Sequence, residues 1–181
     1  KKYTMMLNMN KKNYFLSIHY SNMDFYINRS QFFASVTPDI LGKRKKSIPY
    51  FQEIIQYGEE KILLFNLDQF LSHYFKTEKK DSSLLCIITD TKNYSKESQH
   101  LLKQSIRKDK QSSAPHLIAC LLPASLEIKN IPLSNLKLLS SYFFSCLYQH
   151  GIAACSFIEK KIIYFIDLEK IMITALQEKN G

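Results

Sequence analysis

The chain has 181 residues, 45% of them hydrophobic and 13% aromatic, which is enough apolar material for one packed domain without disulfide or metal cross-links. With only 4 glycines, a glycine-rich phosphate loop and the usual nucleotide-binding folds are excluded. The formal charge of +9 would suit a polyanion, but the basic residues form short runs, such as Lys43-Arg44-Lys45-Lys46, without interleaved aromatic residues. We interpret these runs as solvated loop charge.

The first half of the chain predicts short strands joined by turns. Residues 1–12 are polar and predict a flexible N-terminal arm. Alternating apolar residues on both sides of Ser21-Asn22 predict a first hairpin. The stretches Glu53–Tyr57 and Lys61–Asn66 flank a turn at Gly58 and predict a second hairpin, which a short helical turn follows.

The second half predicts a similar series with one interruption. Apolar runs at Leu84–Thr89 and His116–Leu122 predict buried strands, and the polar segment at about 92–114 predicts an insertion that contains one short amphipathic helix. Leu126 and Ile128 then lead to Ile131-Pro132-Leu133, where the proline limits pairing to a sheet edge. The last predicted elements are strands at Ala153–Ile158 and Ile162–Ile166 and a helix from the cap Asp167 to about Gln177.

An internal repeat relates the two halves. Glu59–Leu71 aligns without a gap on Lys160–Met172, which places turn on turn, strand on strand and Asn66 on Asp167. A period of about a hundred residues is too long for a solenoid and predicts two similar lobes in one domain. Because small β modules remove exposed edges by closing, the predicted fold is all-β, with two pseudo-repeated five-stranded barrels and a short C-terminal helix. The predicted limits are 13–176 for the single domain, about 13–80 and about 82–176 for its lobes, and 177–181 for a tail.

Three segments resemble motifs of the CheW family, the coupling proteins of bacterial chemotaxis, and of the related regulatory domain of the CheA kinase: Ile54–Leu67 (IIQYGEEKILLFNL), His116–Lys137 and Gly151–Ile171. The resemblance extends from Tyr14 to about Met172, apart from the insertion. It implies a non-enzymatic adaptor that couples the cytoplasmic tip of a chemoreceptor to the regulatory domain of a CheA-type histidine kinase. It also implies a cytoplasmic location, with membrane association only through receptor arrays and no direct membrane insertion.

The resemblance also implies which residues bind partners. Phe32 and Ala34 correspond to groove positions that contact the receptor, although plain core packing is the alternative for Phe32. Tyr57, Gly58 and Glu59 stand in the turn where the family has Asn-Leu-Arg-Gly, so the arginine linked to receptor and kinase coupling is absent. This departure implies a divergent member with altered kinase coupling. An exposed apolar patch around Phe32 and Phe33 would favour docking.

No pattern in the sequence indicates a catalytic, cofactor or metal site. Cys146, His150 and Cys155 carry zinc-ligating atoms, but no Cys-x-x-Cys or His-Glu-x-x-His pair completes a site. The four cysteines lie among apolar residues and are expected to be reduced core residues of a cytoplasmic protein. No secretory signal is recognised, and the uncharged stretch Leu138–Ile158 is too polar for a membrane span. The competing hypothesis, based on the charge of +9, is a nucleic-acid-binding small β-barrel.

Overall fold

A computed structural model describes residues 14–20, 23–76, 85–106, 116–122, 126–132, 145, 147–158 and 160–178. The predicted arm at 1–12, the end of the insertion and the last three residues of the predicted tail lie outside the described residues. The span of the single domain stays a prediction.

The described strands are β1 (Tyr14–His19), β2 (Asp24–Asn28), β3 (Ala34–Val36), β4 (Asp39–Ile48), β5 (Phe51–Tyr57), β6 (Glu60–Asn66), β7 (Leu85–Asp90), β8 (Leu117–Leu122), β9 (Leu126–Asn130), β10 (Ile152–Ile158) and β11 (Lys161–Ile166). The helices are α1 (Leu67–Phe75), α2 (Lys96–Ile106) and α3 (Leu168–Gln177). The predicted all-β class with a C-terminal helix is confirmed.

Each sheet takes strands from both halves of the chain. The first sheet has the order β10-β11-β2-β1-β9, and the second has the order β3-β7-β8-β6-β5-β4. The parallel pairs β11–β2 and β6–β8 join the halves. The sheets therefore do not divide near residue 80, where the sequence placed the boundary between the lobes. Parallel neighbours cannot be joined by a tight turn, so such pairs unite segments that are distant along the chain.

The internal repeat is present in the structure. A constant shift along the chain places the first residues of β5, β6 and α1 on those of β10, β11 and α3, so that Phe51 falls on Ile152 and Leu67 on Leu168; the ends agree to within one residue. The helix caps also correspond. The side chain of Asn66 accepts a hydrogen bond from the Gln69 backbone N–H at 2.8 Å, and Asp167 accepts one from the Lys170 N–H at 3.0 Å. Both copies therefore begin their helix with the same capping geometry.

The buried apolar side chains of the described strands and helices form three clusters. The largest, which we call the central cluster, lies between the two sheets and the helices, and Phe25, Phe65, Phe70 and Ile171 are fully buried in it. Strand side chains alternate between faces, so the opposite face of each sheet carries a cluster of its own. In the first sheet this cluster contains Phe15, Tyr26, Ile131, Ile163 and Phe165. In the second it contains Ile55, Ile62, Leu64, Cys86, Ile88, Ala119 and Leu121. Both sheets are therefore buried on two faces, which explains their near-continuous apolar runs.

Two sequence interpretations change with the structure. The run Lys43–Lys46 lies in β4, an edge strand, and not in a loop. Lysines are common on edge strands because their charge opposes pairing with another chain. The insertion is not simply a solvated segment, because α2 buries Leu102 in the central cluster. The hydroxyl of Tyr94, just before α2, also contacts the Met172 sulfur of α3 at 3.8 Å.

Among the described residues, no helix is long and apolar enough to cross a membrane.

Candidate protein-docking surface

The segment that contains Phe32 and Ala34 is held in place from both ends. It follows a 3-10 turn, Arg29–Gln31, that Asn28 caps by accepting a hydrogen bond from the Ser30 N–H. The Gln31 side chain donates to the Ile166 carbonyl at 2.7 Å and accepts from the Leu168 N–H at 2.8 Å, which ties the turn to the start of α3. Beyond the turn, the backbone pairs with β7. The segment therefore has a fixed position on the second sheet.

Phe32 and its neighbour Phe33 differ in exposure. Phe32 is half-buried and packs against the central cluster, with the Arg29 guanidinium 4.6 Å above its ring. Arg29 also donates to the backbone carbonyls of Phe32 and Phe33. The Phe33 side chain is 48% exposed, while its N–H donates to the Ile88 carbonyl at 3.0 Å. Phe33 is thus an aromatic residue presented to solvent from an ordered backbone.

The turn between β5 and β6 explains why glycine stands at position 58, one place earlier than in the family's Asn-Leu-Arg-Gly turn. Tyr57 pairs with Glu60, so Gly58 and Glu59 form a two-residue hairpin loop. Gly58 has φ +59°, whereas Glu59 is not among the residues with positive φ. A positive φ at the first loop position is typical of a type II′ turn, which favours glycine there. The Gln56 amide donates to the Gly58 carbonyl at 2.7 Å and further orders the turn.

The structure brings the two predicted segments together. The rings of Phe33 and Tyr57 have centroids 6.4 Å apart at an interplanar angle of 71°, an edge-to-face contact. Ala34 and Tyr57 are half-buried and pack against the cluster of the second sheet, while Gly58 and Glu59 are exposed. The five predicted site residues therefore lie in one region, and Phe33, which the sequence did not select as a site residue, links them.

Two residues of β4 extend this region. β4 begins beside the end of β5, because Asp39 pairs with Gln56. Ile40 is 42% exposed and Leu41 is 48% exposed. We call Phe33, Ile40, Leu41 and Tyr57 the docking surface. Clustered exposed apolar side chains of this kind mark interaction sites more often than isolated ones do.

The described residues offer little for metal or thiol chemistry. They contain no group of three or more His, Cys, Asp or Glu side chains that could hold a metal ion. Cys86 and Cys155 are buried, and burial raises their pKa to about 12 and about 11. Cys120 is fully buried, which raises its pKa well above the usual value. These three thiols are free, as the sequence predicted, and Cys146 lies outside the described residues.

One arrangement resembles catalytic machinery and was missed in the sequence. The Ser17 Oγ lies 2.7 Å from His19 Nε2, and His19 Nδ1 lies 2.8 Å from the Asp24 carboxylate. Alternating polar residues on β1 were the signal that could have revealed it. Ser17 is 0% exposed, however, so no substrate can approach its hydroxyl in this conformation. A nucleophile must be reachable, and this row therefore does not form a working triad.

Comparison with known proteins identifies the fold. Neither a protein-family model nor a curated protein sequence matches the chain. Among solved structures, the scaffolding protein TtCheW from Thermoanaerobacter tengcongensis is similar, with a TM-score of 0.57 and 11% sequence identity. The match covers 87% of this chain and 90% of that protein. The chain shares its fold. At this level of identity the likeness establishes architecture and leaves function to be argued from the surface.

Proposed function

We propose that the protein is a non-enzymatic adaptor that holds other signalling proteins together through the docking surface. The observation that carries the proposal is the aromatic contact between exposed Phe33 and half-buried Tyr57, on a fold similar to that of a scaffolding protein. Aromatic side chains dominate the binding energy of many protein interfaces because they bury a large area with few rotatable bonds. The ordered backbone under Phe33 lowers the entropy lost on docking.

The proposed partners are the cytoplasmic tip of a chemoreceptor and the regulatory domain of a CheA-type histidine kinase. An adaptor of this kind would work in the cytoplasm and reach the membrane only through its receptor. Glu59 stands where the resemblance implies part of the coupling turn, and the turn has no arginine. Gly58 stands in the place of the family's arginine, and the next residue adds an exposed carboxylate, so the turn loses a positive charge and gains a negative one. We therefore propose that kinase coupling is altered and that the receptor contact is the better-retained one.

The first experiment measures binding of the chain to a purified receptor tip and to a kinase regulatory domain by biolayer interferometry. Phe33→Ser should weaken binding at least about tenfold, the usual effect of truncating an aromatic anchor. Phe157→Ser is the matched control, because Phe157 is 47% exposed but lies on β10 of the other sheet. Equal effects of the two variants, or no binding to either partner by the unmodified chain, would contradict the proposal.

A second experiment tests the turn. Arginine should be introduced at Glu59 and not at Gly58, because Gly58 has φ +59° and a side chain there strains the backbone. If the missing arginine is the reason for altered coupling, Glu59→Arg should increase affinity for the kinase domain and Glu59→Gln should not. Binding of single-stranded RNA or DNA that weakens steeply with salt would instead support the nucleic-acid alternative.

A further inference from the structure

The face of the first sheet that points away from the second sheet carries a group of polar side chains beside Phe15. We call it the polar cluster: Ser17, His19, Asp24, Tyr26, Glu127 and Lys129. The Ser17 hydroxyl can donate to His19 Nε2 while His19 Nδ1–H donates to Asp24, which leaves further acceptor capacity on the Asp24 carboxylate. The row is therefore satisfied by its own hydrogen bonds.

The outer half of the polar cluster contains a lysine at the edge strand β9. Lys129 Nζ lies 3.4 Å from the Glu127 carboxylate, and its side chain is 39% exposed. Burial opposes its charge, but interactions with Tyr26 and Glu127 raise the pKa of Lys129 overall. The Glu127 side chain is 62% exposed and lies at the rim. A cation therefore stands near the opening and the Asp24 carboxylate lies deeper.

The second sheet shows that the fold does not need polar residues at these places. By strand order and register, β7, β8 and β3 correspond to β1, β2 and β9. The six corresponding residues are Ile88, Asp90, Leu117, Ala119, Ala34 and Val36, all apolar except Asp90. Burying polar groups costs free energy where apolar groups would serve. The first sheet is therefore polar at positions where the second sheet is almost entirely apolar, so the polar cluster is not required by the fold.

A cavity of about 390 Å³ opens at the same place. His19, Asp24, Tyr26, Lys129 and Lys161 provide its polar lining. Ile131, Pro132, Ile158 and Ile163 provide an apolar wall. Its volume lies within the range of small-molecule sites, which combine an apolar lining with a few placed polar groups. Ser17 does not line the cavity, so binding is indicated and hydrolysis is not.

We propose that this cavity binds a small zwitterion with an apolar side chain, that is, an apolar α-amino acid or a dipeptide of such residues. The Asp24 carboxylate is placed to accept from the ligand's ammonium group, and Lys129 at the rim is placed to bind its carboxylate. The isoleucine wall takes the apolar side chain. Both signs of charge line one cavity, and a zwitterion can interact favourably with both at once, whereas a simple anion would be repelled by the Asp24 carboxylate.

Isothermal titration calorimetry of the full chain tests the proposal with four compounds. L-Leucine should bind saturably and raise the melting temperature. N-Acetyl-L-leucine lacks the ammonium charge and L-leucinamide lacks the carboxylate. The affinity of each should therefore be lower than that of leucine by a factor of roughly ten or more. The dipeptide leucyl-leucine separates the two sources, since stronger binding than leucine indicates a dipeptide ligand. No binding of leucine, or equal binding of leucine and both blocked analogues, overturns the proposal.

Variants connect that binding to the cavity. Lys129→Gln and Asp24→Asn should each weaken leucine binding roughly tenfold. Lys103→Gln on the exposed face of α2 is the matched control and should change nothing. Lys129→Val installs the residue type that the second sheet already has at this place, Val36, so it should fold normally and still lose binding. Leucine binding that is unchanged in Lys129→Gln and Lys129→Val overturns the assignment to this cavity.

Discussion

Replacing Gly151 with alanine should destabilise the fold by far more than an ordinary glycine substitution. Gly151 has φ +80° and lies against α3. A β-carbon there would overlap Cγ1 of Ile171 and lie 2.9 Å from the Ile171 backbone nitrogen. Ile171 is fully buried, and the Gly151 carbonyl accepts a hydrogen bond from the Asp167 N–H at 2.9 Å. Neither the helix nor the strand can therefore move away cheaply.

The magnitude has two parts. A left-handed backbone costs a non-glycine residue about 1 kcal/mol. Overpacking against a buried side chain and helix backbone adds about 1–3 kcal/mol. Gly151→Ala should therefore cost about 2–4 kcal/mol, which for a chain of this size lowers the melting temperature by roughly 5–15 °C.

Gly58→Ala is the matched control. Gly58 also has a left-handed φ, +59°, but nothing lies within 4 Å of an added β-carbon. It should show the backbone cost alone, about 1 kcal/mol. Urea unfolding followed by far-ultraviolet circular dichroism would measure both free energies of unfolding. Equal losses in the two variants would refute the claim that close approach to α3, and not backbone conformation, selects glycine at position 151.

Three further results are expected. Burial raises the pKa of Asp167 in the folded chain above its ordinary value of 3.8, so its contribution to stability is full below that pH and is lost as the pH rises through the folded pKa. Asp167→Asn keeps the cap and removes this titration. In urea unfolding between about pH 4 and about pH 7, the variant should therefore gain stability relative to the unmodified chain as the pH rises. A difference in unfolding free energy that does not change with pH would contradict the expected pKa shift. The buried thiols of Cys86, Cys120 and Cys155 should react with Ellman's reagent only after unfolding. Because the chain also contains Cys146, rapid reaction of more than one thiol in the folded chain would contradict their burial. Fragments from a cut between α1 and β7 should stay unfolded separately, because each sheet needs strands from both; a native-like circular dichroism spectrum from either fragment would show that its strands find other partners.

Local features were predictable because their causes are local. The β5–β6 and β10–β11 hairpins and the helices that follow them depend on turn residues, alternating apolar residues and a capping side chain, all within about twenty residues. The predicted limits agree with the structure to within a few residues: the helix capped by Asp167 ends at Gln177, as predicted. The edge position of β9 before Pro132 was likewise foreseen, because proline has no N–H to donate to a neighbouring strand.

The candidate site was predictable only in part. The two segments of the docking surface were identified through family resemblance, but their meeting point was not, because the Phe33–Tyr57 contact joins residues on different strands. Adjacent residues on an irregular segment face different directions, so the sequence could not tell that Phe32 packs inward while Phe33 faces solvent. The charged run in β4 was assigned to a loop because its basic residues cluster without interleaved aromatic residues; in the structure the run belongs to β4, and its first residue, Lys43, pairs with Glu53 of β5.

By itself, the sequence determined the all-β class, the repeat, the hairpins with their capped helices and the buried thiols, since each follows from short-range pattern and composition. The tertiary structure alone decided which strands share a sheet, where the docking surface forms and that polar residues of β1, β2 and β9 line a cavity. The reason is physical: apolar strands from either half offer nearly equivalent pairing edges, and register and long-range packing select among them.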